Sequence, residues 1–262
     1  MLARAIRATD GAGDAGIGED RLLGGRVRLR QPRRGYRAAI DPVLLAAAVP
    51  AAPGELVADL GTGAGAAALC LLARCPGCRV TGFELQPGLA ALAADNARLN
   101  GLEDRFSVVA GDIACAAQDW CGRFGRVMAN PPYLPAARAD LSAGDDPATV
   151  EGGAGLGDWV RAALALVRPK GTVALIHRAD RLDELLAHLA AGAGGIVVLP
   201  LWPKPGLAAK RVVVCARRGV RAPLTLGPGL VLHDARGCYT GAAEQVLRAA
   251  QGLFEAQSHG GV

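Results

Sequence analysis

ELVADLGTGAGAAALCLLAR, residues 55 to 74, runs from a short apolar segment through closely spaced glycines into an alanine- and leucine-rich helical pattern. A strand over 55–61 that opens directly into a helix over 64–74 puts free backbone amides and a helix start at the strand's carboxyl end. The turn between them reads Asp59-Leu60-Gly61-Thr62-Gly63-Ala64-Gly65. Its glycines let the main chain approach a ligand that side chains would hold away.

Outward from this stretch the alternation continues: RVTGFEL (79–85) as strand, PGLAALAADNARLNG (87–101) as helix, RFSVVAGD (105–112) and GRVMAN (125–130) as strands. GLGDWVRAALALVR (155–168) then sets Leu156, Trp159, Val160, Ala163, Leu164 and Val167 on one helical face. A strand at 172–177, a helix at 181–190 and strands at 195–201 and 210–218 follow. Strands that are continuously apolar and alternate with helices predict an α/β fold with a doubly wound, mainly parallel sheet. Upstream, Asp41 and Pro42 start a helix as N-cap and first-turn proline. Before it, Arg alternates with Val and Leu and the chain turns at Pro32 to Gly35, which reads as a basic hairpin.

The expected organisation is a mobile leader (1–20) and a single domain (21–262), comprising an N-terminal extension (21–52), a core (53–218) and a C-terminal tail (219–262). The chain's 262 residues are 51% hydrophobic but only 4% aromatic, with 36 glycines, which suits layered α/β packing better than an aromatic-rich sandwich. No run reaches the roughly 18 apolar residues a membrane span needs, and the N-terminus lacks a secretory apolar core, so the expected compartment is cytoplasmic. Seven cysteines fit reduced thiols there. Cys75-Pro-Gly-Cys78 has no second pair to complete four ligands, so it reads as a surface turn and no metal is expected.

Charge is modest overall, +5, but unevenly placed. Residues 21–37 carry seven Arg and no acid, and 204–221 carry six Lys or Arg and no acid. Such stretches serve as either a solvated face or a nucleic-acid footprint.

Chemistry is concentrated at the strand ends. With Ala66 the glycine turn fits G-x-G-x-x-G/A, and Glu84 ends the next strand, where a carboxylate accepts from both ribose hydroxyls. NAD and S-adenosylmethionine both fit this far. Asp59, two residues before the first glycine, favours a cationic amino group and repels a pyrophosphate. Asp112 ends the third strand, placed to accept an adenine's exocyclic amine. Asn130-Pro131-Pro132-Tyr133 follows the fourth strand.

With these residues the chain resembles the seven-stranded, Rossmann-like class I S-adenosyl-L-methionine-dependent methyltransferases that carry N-P-P-Y and methylate amide-like or exocyclic nitrogens. The resemblance spans roughly residues 20 to 250 and is closest to the bacterial valine-tRNA adenine-N6 methyltransferases, which modify the adenosine 3′ of the anticodon. LLGGRVRLRQPRRGYRAAIDPVLLAAAVP, the 155–186 unit and the 209–248 stretch are similar to that family. It implies Tyr36, Asp41, Asp59, Gly61, Thr62, Gly63, Gly65, Glu84, Leu85, Asp112, Ile113 and Asn130 around the cofactor, with Tyr36 and Asp41 closing from the N-terminal side. It further implies Asn130, Pro131, Pro132 and Tyr133 around the target base, and tRNA contacts from Arg28, Arg30, Arg33, Arg34, Lys210 and Arg211.

An exocyclic amine is a poor nucleophile because its lone pair is delocalised into the ring. Acceptance of both its N–H bonds by the Asn130 side-chain oxygen and the Pro131 carbonyl aims that lone pair at the methyl group. Two prolines, with φ locked and no N–H, hold the carbonyl; Tyr133 can stack on the base. The loop LPAARADLSAGDDPATVEGGAG (134–155) is long enough to close over a substrate. Release-factor glutamine methylation poses the same electronic problem and is the main rival, although those enzymes carry a helical N-terminal domain in place of an Arg-rich hairpin. Guanine-N2 methylation of ribosomal RNA ranks third. A non-catalytic RNA-binding module and an NAD oxidoreductase rank below these.

Overall fold

The computed structural model describes residues 16–33, 37–133 and 153–258. In chain order the strands are β1 (Ile17–Leu22), β2 (Val27–Pro32), β3 (Leu56–Leu60), β4 (Arg79–Glu84), β5 (Phe106–Ala110), β6 (Phe124–Ala129), β7 (Val167–Arg178), β8 (Ala193–Trp202), β9 (Arg211–Arg218), β10 (Thr225–Leu226) and β11 (Leu230–Val231). The helices are α1 (Asp41–Ala48), α2 (Ala66–Arg74), α3 (Pro87–Leu99), α4 (Ile113–Asp119), α5 (Leu156–Leu166), α6 (Leu182–Ala190), α7 (Gly241–Leu247) and α8 (Leu253–Ser258).

The main sheet runs β10-β8-β9-β7-β6-β3-β4-β5, with β11 also beside β8. From β5 to β7 every pairing is parallel, and β9 lies antiparallel between β7 and β8. Seven strands carry the sheet as expected, and the two-residue β10 and β11 extend its edge. Alternate residues of each strand face opposite layers. Met128, Ala174, Ile176 and Val213 pack with α1, α2, α7 and α8, whereas Val127, Ala129, Val173, Leu175 and Val214 pack with α4, α5 and α6. Both faces are therefore apolar, which accounts for the unbroken hydrophobic runs. Among the described residues no helix is long and apolar enough to cross a membrane.

The order β6-β3-β4 marks where the winding reverses direction: the chain leaves β3 toward β4 and β5, then returns across β3 to β6. Register places Leu60 opposite both Phe83 and Ala129, and Glu84 opposite Ala110. The carboxyl ends of β3, β4, β5 and β6 thus meet at one rim.

The N-terminal hairpin differs from expectation. Its turn is Leu23–Gly25, with positive φ at Leu23, Gly24 and Gly25, rather than Pro32 to Gly35, and its first strand is IGEDRL, so Ile17–Asp20 belong to β1 and not to a leader. Glu19 and Asp20, just outside the acid-free stretch, fold back onto its arginines. On α3, Asn96 and Asn100 lie one turn apart and bond β2 as a neighbouring strand would. Asn96 accepts from Arg30 N at 2.8 Å and donates to Arg30 O at 2.7 Å; Asn100 does the same for Arg28 at 2.9 and 2.7 Å. Asn96 also donates to the Ala64 carbonyl in the glycine turn at 2.9 Å, coupling hairpin and turn. Cys75 to Cys78 do form a turn, with Gly77 at φ 92°, but Cys78 is buried in the core and not at the surface.

A candidate active site at the strand ends

The rim where β3, β4, β5 and β6 end opens into a cavity of about 490 Å³. Asp59, Gly61, Thr62, Gly63, Glu84, Leu85, Asp112, Ile113 and Asn130 to Tyr133 all contribute to its wall.

Asp59 is 2% exposed and accepts from the Thr62 hydroxyl at 2.7 Å. Burial pushes its carboxyl up to about 7, Glu84's negative charge adds to the rise, and the Thr62 bond opposes it. Glu84 has both oxygens fixed: one accepts from Gly63 N at 2.8 Å, the other from Gln86 N at 2.9 Å. Asp112 caps α4 through one oxygen, accepting from Ala114 N at 2.8 Å. Leu85, 66% exposed, and Ile113, buried, both line the cavity and give it apolar surface suited to a flat ring.

Gly61 (φ 66°) is required twice over, since a Cβ there would also sit 2.5 Å from the Trp159 ring. At Gly63 a Cβ would meet only open space within 4 Å, so its role is the left-handed turn, at φ 57°. Gly65 differs from expectation: it is absent from the cavity wall, and its close approach is to the Phe106 ring, 2.8 Å from where a Cβ would lie. Asp41 also differs. It sits beside the N-P-P-Y turn instead of in the wall, accepting from the Tyr133 hydroxyl at 2.8 Å and from Arg211 Nε at 3.0 Å. Tyr36 and Arg34 lie outside the described residues, as do residues 134–152 of the long loop.

Tyr133 has the Arg211 guanidinium over its ring, 4.6 Å from the centroid, and the His177 ring edge-on at 5.8 Å. His177 is buried, with Nε2 3.3 Å from the Pro132 carbonyl; burial pushes it down to about 4, so at neutral pH it is uncharged and donates that bond. Arg211 is therefore drawn inward, away from a phosphate-binding role. Arg28 and Arg30 are likewise engaged, by Glu19, and Arg33 Nε donates to the Ile17 carbonyl. Lys210 is exposed.

Trp159, Gln31 and Pro42 line the cavity without having been singled out as site residues. Trp159 reads as one more apolar position on α5; only its contact with Gly61 reveals its place. Gln31, its amide tied to Ala38 N at 2.8 Å and Asp20 at 2.7 Å, comes from the hairpin, whose docking no local pattern encodes.

The model of the methyltransferase small domain matches residues 39–146, the stretch holding Asp59, Glu84, Asp112 and Asn130. A solved structure described as a predicted O-methyltransferase from Agrobacterium tumefaciens superimposes with a TM-score of 0.67 at 29% identity, covering 79% of this chain and 94% of that one. The fold is that of the class I methyltransferases. Two kinds of curated relative accompany this methyltransferase. A tRNA1(Val) (adenine(37)-N6)-methyltransferase of Actinobacillus pleuropneumoniae is 28% identical over 211 residues, 80% of this chain and 87% of its own length. A release factor glutamine methyltransferase of Rhodospirillum rubrum is 33% identical over 180 residues, 65% of this chain; the match spans 53% of that relative's length.

The cofactor of this class is S-adenosylmethionine, and the cavity's donors fit it. A deeply buried carboxylate held by a hydroxyl calls for a ligand cation, and the amino group of the methionyl part supplies one. Glu84, held rigid from behind by two amides, is preorganised to accept from sugar hydroxyls.

Proposed function

We propose that this methyltransferase methylates N6 of an adenine in tRNA, with the adenosine 3′ of the anticodon of a valine tRNA as the favoured target. The observation that carries the reading is the position of Asn130-Pro131-Pro132-Tyr133 directly after β6, in the wall of the cavity that also holds Asp59 and Glu84. When bound, S-adenosylmethionine supplies an electrophilic methyl group.

The chain's own residues do the rest. Asp59 anchors the cofactor's methionyl amino group and Glu84 its ribose, and Leu85 and Ile113 flank its adenine while Asp112 accepts from the adenine amine. Asn130 Oδ1 and the Pro131 carbonyl accept the target's two N–H bonds, localising its lone pair on nitrogen. His177, through the Pro132 carbonyl, stiffens the turn that presents both acceptors. Positioning of this kind lowers a barrier by on the order of 7 to 11 kcal/mol at best, and no general base is needed because the methylated cationic product sheds its proton readily. Extraction of the adenine from its stack takes a few kcal/mol, least in a loop such as an anticodon arm. The exposure of Lys210 supports a phosphate contact there.

The tRNA reading draws on relatives matched over 87% of their length; the higher identity of the release-factor enzymes, over about half of theirs, supports glutamine N5 methylation as the second reading. Incubation with unmodified total tRNA or with unmodified release factor separates them. N6-methyladenosine in the nucleoside digest is expected, and methyl transfer to release factor alone would replace the first reading with the second. Asn130→Ala should abolish transfer while cofactor affinity stays within about tenfold, since one lost hydrogen bond contributes about 1 kcal/mol to binding.

A further inference from the structure

The basic residues near the candidate active site divide into paired and unpaired ones. On the hairpin, Arg28 and Arg30 face Glu19, and Arg37 meets Asp20. At the sheet's rim Arg178 is paired with Asp180, and Arg211 with Asp41. Among the described residues Lys204, Lys210 and Arg236 stand in no ion pair.

These three share the rim with the cavity. β6 and β7 run parallel, and β9 is antiparallel to both β7 and β8, so β8 ends and β9 begins on the side where β6 ends. The register there sets Arg178 opposite Arg211, Arg211 opposite Leu201, and Leu201 opposite Leu230. The Pro132 carbonyl, 3.3 Å from His177 Nε2, brings the N-P-P-Y segment alongside this row. Lys204 and Lys210 stand near the two ends of the loop joining β8 to β9, and Arg236 lies in the turn after β11. Loop and turn touch: His233 N donates to the Pro203 carbonyl at 3.2 Å, and Lys204 Nζ is 3.9 Å from where a Cβ on Gly237 would lie. The Lys210 carbonyl accepts from Ala179 N at 3.1 Å, tying the far end of the loop to the end of β7. The His233 and Tyr239 rings, stacked at 4.7 Å, close the turn that carries Arg236. Asp234, the acid of that turn, has one oxygen committed to Cys238 N at 3.0 Å, and residues 204–221 hold no acid.

We infer that the β8–β9 loop and the turn after β11 form a docking surface for the phosphates of the RNA strand that flanks the target adenine. The inference rests on the tRNA reading of the substrate. At roughly 4.8 Å per strand, the N-P-P-Y segment is about 10 Å from β9 and about 19 Å from β11. Phosphates of one stacked strand advance about 3.4 Å each, so the surface meets the backbone about three to six nucleotides from a base seated in the cavity. Unpaired cations take a phosphate directly, whereas Arg28 and Arg30 must first give up Glu19. The docking surface therefore lies on the β9–β11 side of the cavity, and the hairpin's paired arginines contribute less.

The test combines Lys204→Gln, Lys210→Gln and Arg236→Gln, with Arg79→Gln, Arg217→Gln and Arg221→Gln as a control of equal charge change. Those control residues are exposed at the opposite rim, where β4 and β10 begin and β9 ends. Binding of an unmodified valine-tRNA transcript is followed by fluorescence anisotropy against salt. Each phosphate contact contributes about 0.7 to 0.9 to the log–log salt slope, a factor of about 5 to 8 in affinity between 1 M and 0.1 M salt. The triple variant should therefore lose about 2 to 3 in slope and raise the tRNA Kd on the order of 100-fold at 0.1 M salt. Its KM for tRNA should rise in parallel, and its Kd for S-adenosylmethionine, measured by calorimetry, should stay within twofold of wild type, which also shows that it folds. The control should shift tRNA Kd far less. Equal losses in both triple variants, or an unchanged salt slope in the first, would overturn the inference. Transfer to tRNA with an unaltered KM would leave the tRNA reading standing and remove this surface; transfer to release factor with no tRNA binding by wild type would remove both.

Discussion

Asp59→Asn should make the cofactor-free protein more stable while weakening cofactor binding. Burial, with Glu84 nearby, pushes this carboxyl from 3.8 to about 7, against the Thr62 hydrogen bond. The rise of about 3 units, at about 1.4 kcal/mol each, corresponds to up to about 4 kcal/mol of destabilisation. The sign follows from linkage: the folded state holds this proton more tightly than the unfolded chain. Stability contributed by the protonated acid is present below pH 4, is lost as pH climbs toward 7, and changes no further above it. Asparagine keeps the shape and can still accept from Thr62, but carries no charge. At pH 8 the apo variant should exceed wild type by up to about 4 kcal/mol, roughly 8 to 16 °C in Tm for a chain of this size. The advantage should vanish near pH 4. Wild-type affinity for S-adenosylmethionine should rise with pH up to about 7 and then level off, because the ligand's ammonium needs the ionised acid; the variant should bind more weakly and lose that dependence. Scanning calorimetry from pH 4 to 8 and titration calorimetry at each pH measure both effects. A variant no more stable than wild type at pH 8, or one retaining wild-type affinity, would refute the reasoning.

Gly61→Ala combines a left-handed backbone at φ 66° with a Cβ 2.5 Å from Trp159, so it should lose at least about 1 to 3 kcal/mol in denaturant unfolding and bind cofactor poorly. His177, pushed down to about 4, contributes stability that is present above pH 6.5 and is lost as pH falls toward 4. His177→Gln keeps a donor for Pro132 without a titrating group, and its acid-unfolding midpoint should move lower; an unchanged midpoint would remove this assignment. Asn96→Ala strips the β2 backbone and the Ala64 carbonyl of their partners, and should lose about 1 to 3 kcal/mol with faster hydrogen exchange confined to residues 17–32 and the glycine turn.

Period and punctuation in the sequence determined the strands β3 to β9 and the helices α2, α3, α5 and α6 among them, because each unit's apolar pattern and glycines are local properties, whereas the seven-residue α4 between β5 and β6 went unread. The cavity wall was legible for the same reason: Asp59 and Glu84 lie at the ends of β3 and β4, Asp112 and Asn130 follow β5 and β6 within two residues, and parallel strands bring like ends to one rim. Gly65 was read as a ligand contact because spacing alone cannot distinguish a cradle from a close packing partner such as Phe106. The hairpin turn was misplaced because acidic, glycine-containing IGEDRL has little strand propensity of its own; pairing with β2 and the Asn96 and Asn100 side chains hold it. Tertiary structure alone decided that Asp41, expected over the cofactor, joins Arg211 at Tyr133. Those three residues are 92 and 170 positions apart along the chain when measured from Asp41, and only the folded sheet brings β9 beside α1 and the end of β6. Contacts of that reach depend on how whole layers pack, which no window of residues records.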